Sequence, residues 1–317
     1  MSTKILSTHC ERTAIQGVLF AFLAHQRYSW ARVGWPTRTD TIRLLRRATG
    51  LLLLAFLGGV AARIEYPLVN WISGPQDTAH YFLGQKLFLV YASLVAVIGN
   101  SIWAPAADLF HRGESGRLIV QLDRALRGTA VVGTAGAVAI AGVTPTFLRL
   151  WLGEGFDPGS LARFGFAVSF PLLGLNVLLA SVLTATGHTR AMLVSTATYF
   201  AVTVIAQCWL GQVAGPGGIA WGTAIGVCAA VAVNLAVASR VFGLSAIGAG
   251  MRLLMVALLG CCYGLGFATL LDLLPRMGWI ELVAVMGLGW GGFLMLAVQL
   301  ILTREDRHEI HSRLFRR

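Results

Sequence analysis

Residues 164–187 read FGFAVSFPLLGLNVLLASVLTATG, twenty-four positions in a row without Asp, Glu, Lys or Arg. As an α-helix this stretch is about 36 Å long at 1.5 Å per residue, enough to cross a hydrocarbon core of about 30 Å. A membrane-spanning strand alternates over a short segment, which this stretch does not do. In lipid the backbone must satisfy its own hydrogen bonds, so a continuous apolar run of this length predicts a helix. Seven further apolar stretches lie at 48–69, 80–106, 128–148, 191–213, 217–239, 253–271 and 282–303. The expected fold is all-α, a polytopic membrane bundle of about eight transmembrane helices. Composition agrees: of 317 residues, 56% are apolar and only 12% charged, with a mean hydropathy of +0.71. Soluble domains carry about 25% charge. A water-soluble enzyme, a disordered chain and a collagen-like chain are thereby excluded.

Orientation follows from the basic residues. Lys4, Arg12, Arg27, Arg32, Arg38, Arg43, Arg46 and Arg47 precede the first stretch. Arg112, Arg117, Arg124 and Arg127 occupy the second connection, Arg190 the fourth, and Arg240 and Arg252 the sixth. Arg304, Arg307, Arg313, Arg316 and Arg317 follow the last stretch. Only Arg149, Arg163 and Arg276 belong to the opposite side. The positive-inside rule then predicts both termini in the cytoplasm and an even number of spans. This distribution accounts for the formal net charge of +11 without a nucleic-acid partner, because no soluble module gathers the basic residues.

Four segments are expected: a basic interfacial arm at 1–39, a six-helix lobe at 40–240, two additional transmembrane helices at 241–303, and a basic cytoplasmic tail at 304–317. The apolar run at 13–24 is too short to span, and no small-x-small cleavage site follows it, so the arm is read as interfacial. Pro171 predicts a kink inside its helix; Pro105 and Pro145 lie near the ends of their stretches and are expected to terminate them. The five cysteines show no CxxC spacing and predict neither a zinc site nor a disulfide framework.

Charge at membrane depth is costly and therefore informative. Arg63, Glu65 and Lys86 are the three such residues. Arg63 and Lys86 are expected at similar depth on adjacent antiparallel helices. Lys86, Ser93 and Asn100 recur every seven residues and share one helix face, expected to look into protein or water. One reading is a cationic lining for a phosphate or carboxylate, with Arg63 and Lys86 in contact with the anion. The alternatives are Arg63 snorkelling to the headgroups and a Glu65–Arg63 ion pair; Glu65 is also a candidate for coupling to H+ or Na+. Asn176, Gln207, Asn234 and Gln299 are single polar residues in later stretches, of the kind that hydrogen-bond between helices, with Asn176 a further candidate for the cavity face. No Ser/His/Asp set, HExxH, Walker loop or paired carboxylates occur, so the chain is not expected to be an enzyme or to need a metal or other cofactor.

From residue 40 onward the sequence resembles the carboxy-terminal lobe of the polysaccharide and O-antigen flippases of the multidrug/oligosaccharidyl-lipid/polysaccharide (MOP) exporter superfamily. The resemblance rests on HYFLGQKLFLVYASLVAVIGNSIWAPAADLF at 80–110, FLRLWLGEGF at 147–156, LNVLLASVLTATGHTR at 175–190 and GPGGIAWGTAIG at 215–226, with the tail LTREDRHEIHSRL at 302–314 of the same kind. It implies a six-helix lobe followed by two extra helices in a bacterial inner membrane. It also implies an undecaprenyl-pyrophosphate-linked oligosaccharide as substrate, moved for O-antigen or other surface polysaccharide synthesis alongside polysaccharide assembly proteins. By the resemblance Lys86 would line the cationic cavity; Arg63 is placed there by depth alone. Family members have two lobes, and 317 residues supply one. The expectation is therefore a chain that pairs with a second lobe, forms a homodimer, or is an inactive truncated remnant. A multidrug or lipid II exporter of the same superfamily is the nearest alternative. A membrane polysaccharide polymerase or ligase is disfavoured by outer connections of only about 10 to 16 residues.

Overall fold

The computed structural model describes residues 37–61, 63–272 and 278–300. The arm expected at 1–39, apart from its last three residues, and the tail at 304–317 lie outside the described residues. Every regular element among the described residues is a helix: α1 (Arg38–Ala61), α2 (Glu65–Ser73), α3 (Pro75–Ser101), α4 (Trp103–His111), α5 (Ser115–Leu152), α6 (Ser160–Ala185), α7 (Thr189–Phe242), α8 (Ala246–Asp272) and α9 (Trp279–Leu300). Two compact units part at Leu51 and Leu52. In the first, Thr37 starts α1: its Oγ1 accepts the Asp40 backbone N–H at 3.2 Å, the contact of a helix N-cap. Everything below concerns the second unit.

Among the described residues six helical segments are long and apolar enough to cross a membrane: 75–111, 115–152, 160–185, 189–242, 246–264 and 279–297. One of these is two spans. α7 is bent at Ala214 and Gly215, where φ of Gly215 is 59°, a left-handed value that glycine adopts without a Cβ penalty. The arms 189–213 and 216–242 fold back against each other. A Cβ on Gly222 would lie 2.6 Å from the backbone N of Gln207, and one on Gly226 would overlap the Thr203 side chain. Glycine every fourth residue therefore gives the second arm a bare face on which the first arm lies directly. Lipid tails are as apolar as leucine, so close contact of this kind, rather than hydrophobic burial, is what holds membrane helices together.

Three expectations change. The first apolar stretch is not one helix: a turn at Arg63 and Ile64 divides it between α1 and α2. The third is longer than expected, so Arg117, Arg124 and Arg127 sit on the helical extension of α5 rather than in a connection. Pro145 does not terminate α5, which runs on to Leu152. Proline at 145 removes the hydrogen bond that the Ala141 carbonyl would accept. Arg163 Nη1 from α6 donates to that carbonyl instead, at 3.4 Å, so the helix continues past the proline.

α6 is central, packed against α3, α5 and α7. A large apolar core joins Leu118, Leu122 and Leu126 of α5, Leu178, Leu179 and Leu183 of α6, and Val227 and Leu235 of α7. A smaller, aromatic core gathers Tyr81 and Phe88 of α3 with Phe166 and Phe170 of α6. Its rings meet edge-to-face at 5.0 Å (Tyr81–Phe166) and stacked at 5.8 Å (Phe88–Phe170). α8 and α9 both pack on α5, with Gly260 and Gly264 of α8 against Thr134 and Val138.

Candidate functional site

The α3 sequence divides its surface cleanly. Tyr81, Gln85, Phe88, Ala92, Val95 and Gly99, spaced by three and four, are buried. Lys86, Ser93 and Asn100 each follow a buried position and are exposed. They form a polar stripe about 21 Å long at 1.5 Å per residue. At its upper end Lys86 Nζ lies 4.3 Å from the centre of the Phe82 ring, a cation–π contact. Phe82 meets Tyr66 of α2 edge-to-face at 5.3 Å. Arg63 is exposed on the turn before α2, three residues before Tyr66. At the lower end Asn100 Oδ1 accepts from Ser181 Oγ of α6 at 3.1 Å.

Glu65 points the other way. Only 3% exposed, its Oε2 accepts from the Tyr81 hydroxyl at 2.6 Å and from Gln85 Nε2 at 2.8 Å. Tyr66 donates in turn to Gln85 Oε1 at 2.6 Å. Thr223 of the second α7 arm also faces the carboxylate and accepts from Gln207 Nε2 of the first arm at 2.8 Å. The expected Glu65–Arg63 ion pair is replaced by these neutral donors. The turn at 63–64 parts the two side chains, sending Glu65 into the bundle and Arg63 to its surface. A buried carboxylate is costly unless hydrogen-bonded or paired, and here uncharged partners from α3 and α7 serve it.

Sequence reading singled out Glu65 and missed its cage. Tyr81, Gln85 and Thr223 had no charge to mark them. The available signal was the three-and-four spacing of Tyr81, Gln85 and Phe88, which puts a glutamine on the buried seam. Asn176, also singled out, is engaged between helices: its Oδ1 accepts from Asn234 Nδ2 at 2.8 Å. The structure therefore brings Lys86, Ser93 and Asn100 onto one exposed stripe, leaves Arg63 exposed on the turn before α2, and directs Glu65 and Asn176 into the bundle. Among the described residues no group of three or more His, Cys, Asp or Glu is placed to hold a metal ion.

A groove of about 500 Å³ runs between α5, α6 and α8. Its walls are apolar and small, including Ala130, Val138, Leu172 and Val256, and Arg163 stands near one end, 3.3 Å from Asp157.

No protein-family model and no curated protein sequence matches the chain. Among solved structures, lipid II flippase MurJ in an inward closed conformation superposes with a TM-score of 0.63 at 13% identity. The match covers 90% of this chain and 60% of that one. The two share a fold. At that identity the likeness concerns the arrangement of helices, and this chain spans about 60% of the length of the protein it resembles.

Proposed function

We infer that this chain is a lobe of a flippase-like transporter in a bacterial inner membrane, and that it moves a lipid carrying a pyrophosphate-linked saccharide. The observation that carries this reading is the exposed polar stripe on α3. A membrane helix that presents Lys86, Ser93 and Asn100 to hydrocarbon would be heavily penalised; the same face on the wall of a watery cavity is not. The fold matches 60% of a larger flippase, and in this reading the stripe lines the wall that faces a further lobe. In alternating access two halves rock about a site between them. The second half would stand across that site from this lobe.

In this reading Lys86 and Arg63 compensate the charge of a pyrophosphate, Lys86 as a point charge and Arg63 as a planar fork. Ser93 and Asn100 continue the hydrophilic track toward the cytoplasmic end. Glu65, caged by donors on α3 and α7, is the candidate for coupling to H+ or Na+, since it is the one fully buried carboxylate among the described residues. Two substrates fit this chemistry. The sequence motifs favour an O-antigen or other polysaccharide repeat, and the name of the structurally similar protein favours lipid II.

Complementation separates them. The chain, alone and joined to an amino-terminal flippase lobe, is expressed in a strain lacking its O-antigen flippase and in one depleted of its lipid II flippase. Restored O-antigen display supports the first substrate and restored growth the second. Failure of both fusions, with the protein present in the membrane, rejects the transport reading.

A further inference from the structure

The transport reading uses Lys86 and Glu65 but leaves unused the chain of contacts that joins them. Gln85 of α3, 4% exposed, bonds in both directions: its Nε2 donates to Glu65 Oε2 at 2.8 Å, and its Oε1 accepts from the Tyr66 hydroxyl at 2.6 Å. Tyr66 of α2 is half-buried, and its ring meets Phe82 edge-to-face at 5.3 Å. Lys86 Nζ stands 4.3 Å from the centre of that same Phe82 ring. A run of neighbours therefore leads from the enclosed carboxylate, through one amide and one phenol, to the head of the exposed stripe.

The direction of each hydrogen bond follows from charge. An ionised carboxylate only accepts. Tyr81 and Gln85 both donate to Glu65, so the Gln85 carbonyl is turned to Tyr66 and the phenolic proton is committed inward. A cation at Glu65 reverses the demand. A proton makes the carboxyl a donor, and Na+, a hard cation, seeks oxygen ligands. Either one draws the Gln85 carbonyl toward position 65. The amide then presents Nε2 to the Tyr66 oxygen, and the phenolic proton is released toward the Phe82 and Lys86 side. The other titratable side chains near Glu65, Tyr81 of α3 and Tyr199 of α7, are uncharged at neutral pH, and Arg63 and Lys86 are exposed.

We propose that Tyr66 is a further anion-binding residue, switched by Gln85: a cation at Glu65 turns the amide over, and the freed Tyr66 hydroxyl donates to the oxyanion beside Lys86. Gln85 is the positioning residue, since it acts only through Tyr66. The inference rests on the transport reading, in which Lys86 meets a pyrophosphate and Glu65 a coupling cation. It gives that coupling a sign and a route. Cation and anion each tighten the binding of the other, as linkage requires, and the effect passes through one amide.

Binding of undecaprenyl pyrophosphate to the purified full chain in nanodiscs tests it. One arm varies Na+ at fixed pH; the other varies pH with choline in place of Na+. The natural chain should bind about tenfold more tightly once the cation site fills, in whichever arm supplies the cation, the effect of one hydrogen bond to a charged group. Tyr66→Phe keeps the ring on Phe82 but has no proton to give, so its affinity should stay at the low-cation value throughout. Gln85→Leu no longer holds the phenolic proton inward and should bind tightly even without the cation. A merely structural contact would make both variants weaken binding alike, and that result overturns the proposal. Repulsion of the anion by ionised Glu65 through space would leave the cation dependence intact in Tyr66→Phe, which overturns it too, as does a natural chain that binds with no dependence on either cation. These outcomes leave the transport reading standing. No binding by the natural chain, or binding unaffected by Lys86→Gln, removes that reading and the relay with it.

Discussion

Lys86 and Glu65 show how two ionisable side chains at membrane depth reach opposite solutions. Lys86 stays on the surface of α3, its ammonium over the Phe82 ring, whereas Glu65 is enclosed and served by neutral donors. Their substitutions should therefore fail differently. Lys86→Ala removes a charge that contacts no buried partner, so the protein should remain folded in the membrane while the transport proposed above, measured in the chain joined to a second lobe, falls by at least tenfold; Lys86→Arg should recover part of it. Normal export at equal protein level would reject the cavity role. Glu65→Ala leaves the Tyr81 hydroxyl and the Gln85 amide without their acceptor, which costs about 1–3 kcal/mol. It should lower the melting temperature in detergent. Glu65→Gln keeps an acceptor and should fold, yet transport by a chain joined to its second lobe should lose its dependence on the coupling ion, measured by varying Na+ at fixed pH and pH at fixed Na+. Both charged residues were legible in the sequence because charge inside an apolar run is conspicuous. Their environments were not, since Tyr81, Gln85 and Thr223 look like ordinary members of membrane helices until the packing is seen.

At the scale of elements, the spans were legible and their joints were not. Apolar length places a helix, but where it bends depends on single residues. The turn at 63–64 breaks a stretch that hydropathy reads as continuous. Pro145, which reads as a stop, is carried through by a guanidinium from another helix. That rescue makes Arg163 a support for α5: Arg163→Leu should destabilise the protein by about 1–3 kcal/mol through the stranded Ala141 carbonyl. A melting temperature equal to that of the natural chain would show the contact to be idle. The α7 hairpin depends on the absence of side chains. Gly222→Leu inserts four carbons where the Gln207 backbone already stands. Overpacking of this kind costs at least about 1–3 kcal/mol, and the variant is expected to be degraded or to elute as an aggregate, whereas Gly250→Ala, at a position with open space, should behave as the natural chain does.

For the whole molecule, one asymmetry organises the rest. Helices α8 and α9 cover α5 on one side of the lobe, and the groove lies there. The stripe of Lys86, Ser93 and Asn100 lies on α3, a helix packed against α2, α5 and α6, and remains exposed. An exposed polar stripe on a transmembrane helix needs either water or a partner, and the transport account requires water. The most direct measurement is thiol accessibility in intact cells, with the five native cysteines replaced and Ser93→Cys or Leu94→Cys introduced into the chain joined to its second lobe. Ser93→Cys should react rapidly with a water-soluble maleimide and be protected by substrate, while Leu94→Cys, exposed on the same helix but about 100° around from Ser93, should not react. A Ser93→Cys thiol that resists the maleimide but is modified by a reagent dissolved in the bilayer would place the stripe against lipid and contradict the account.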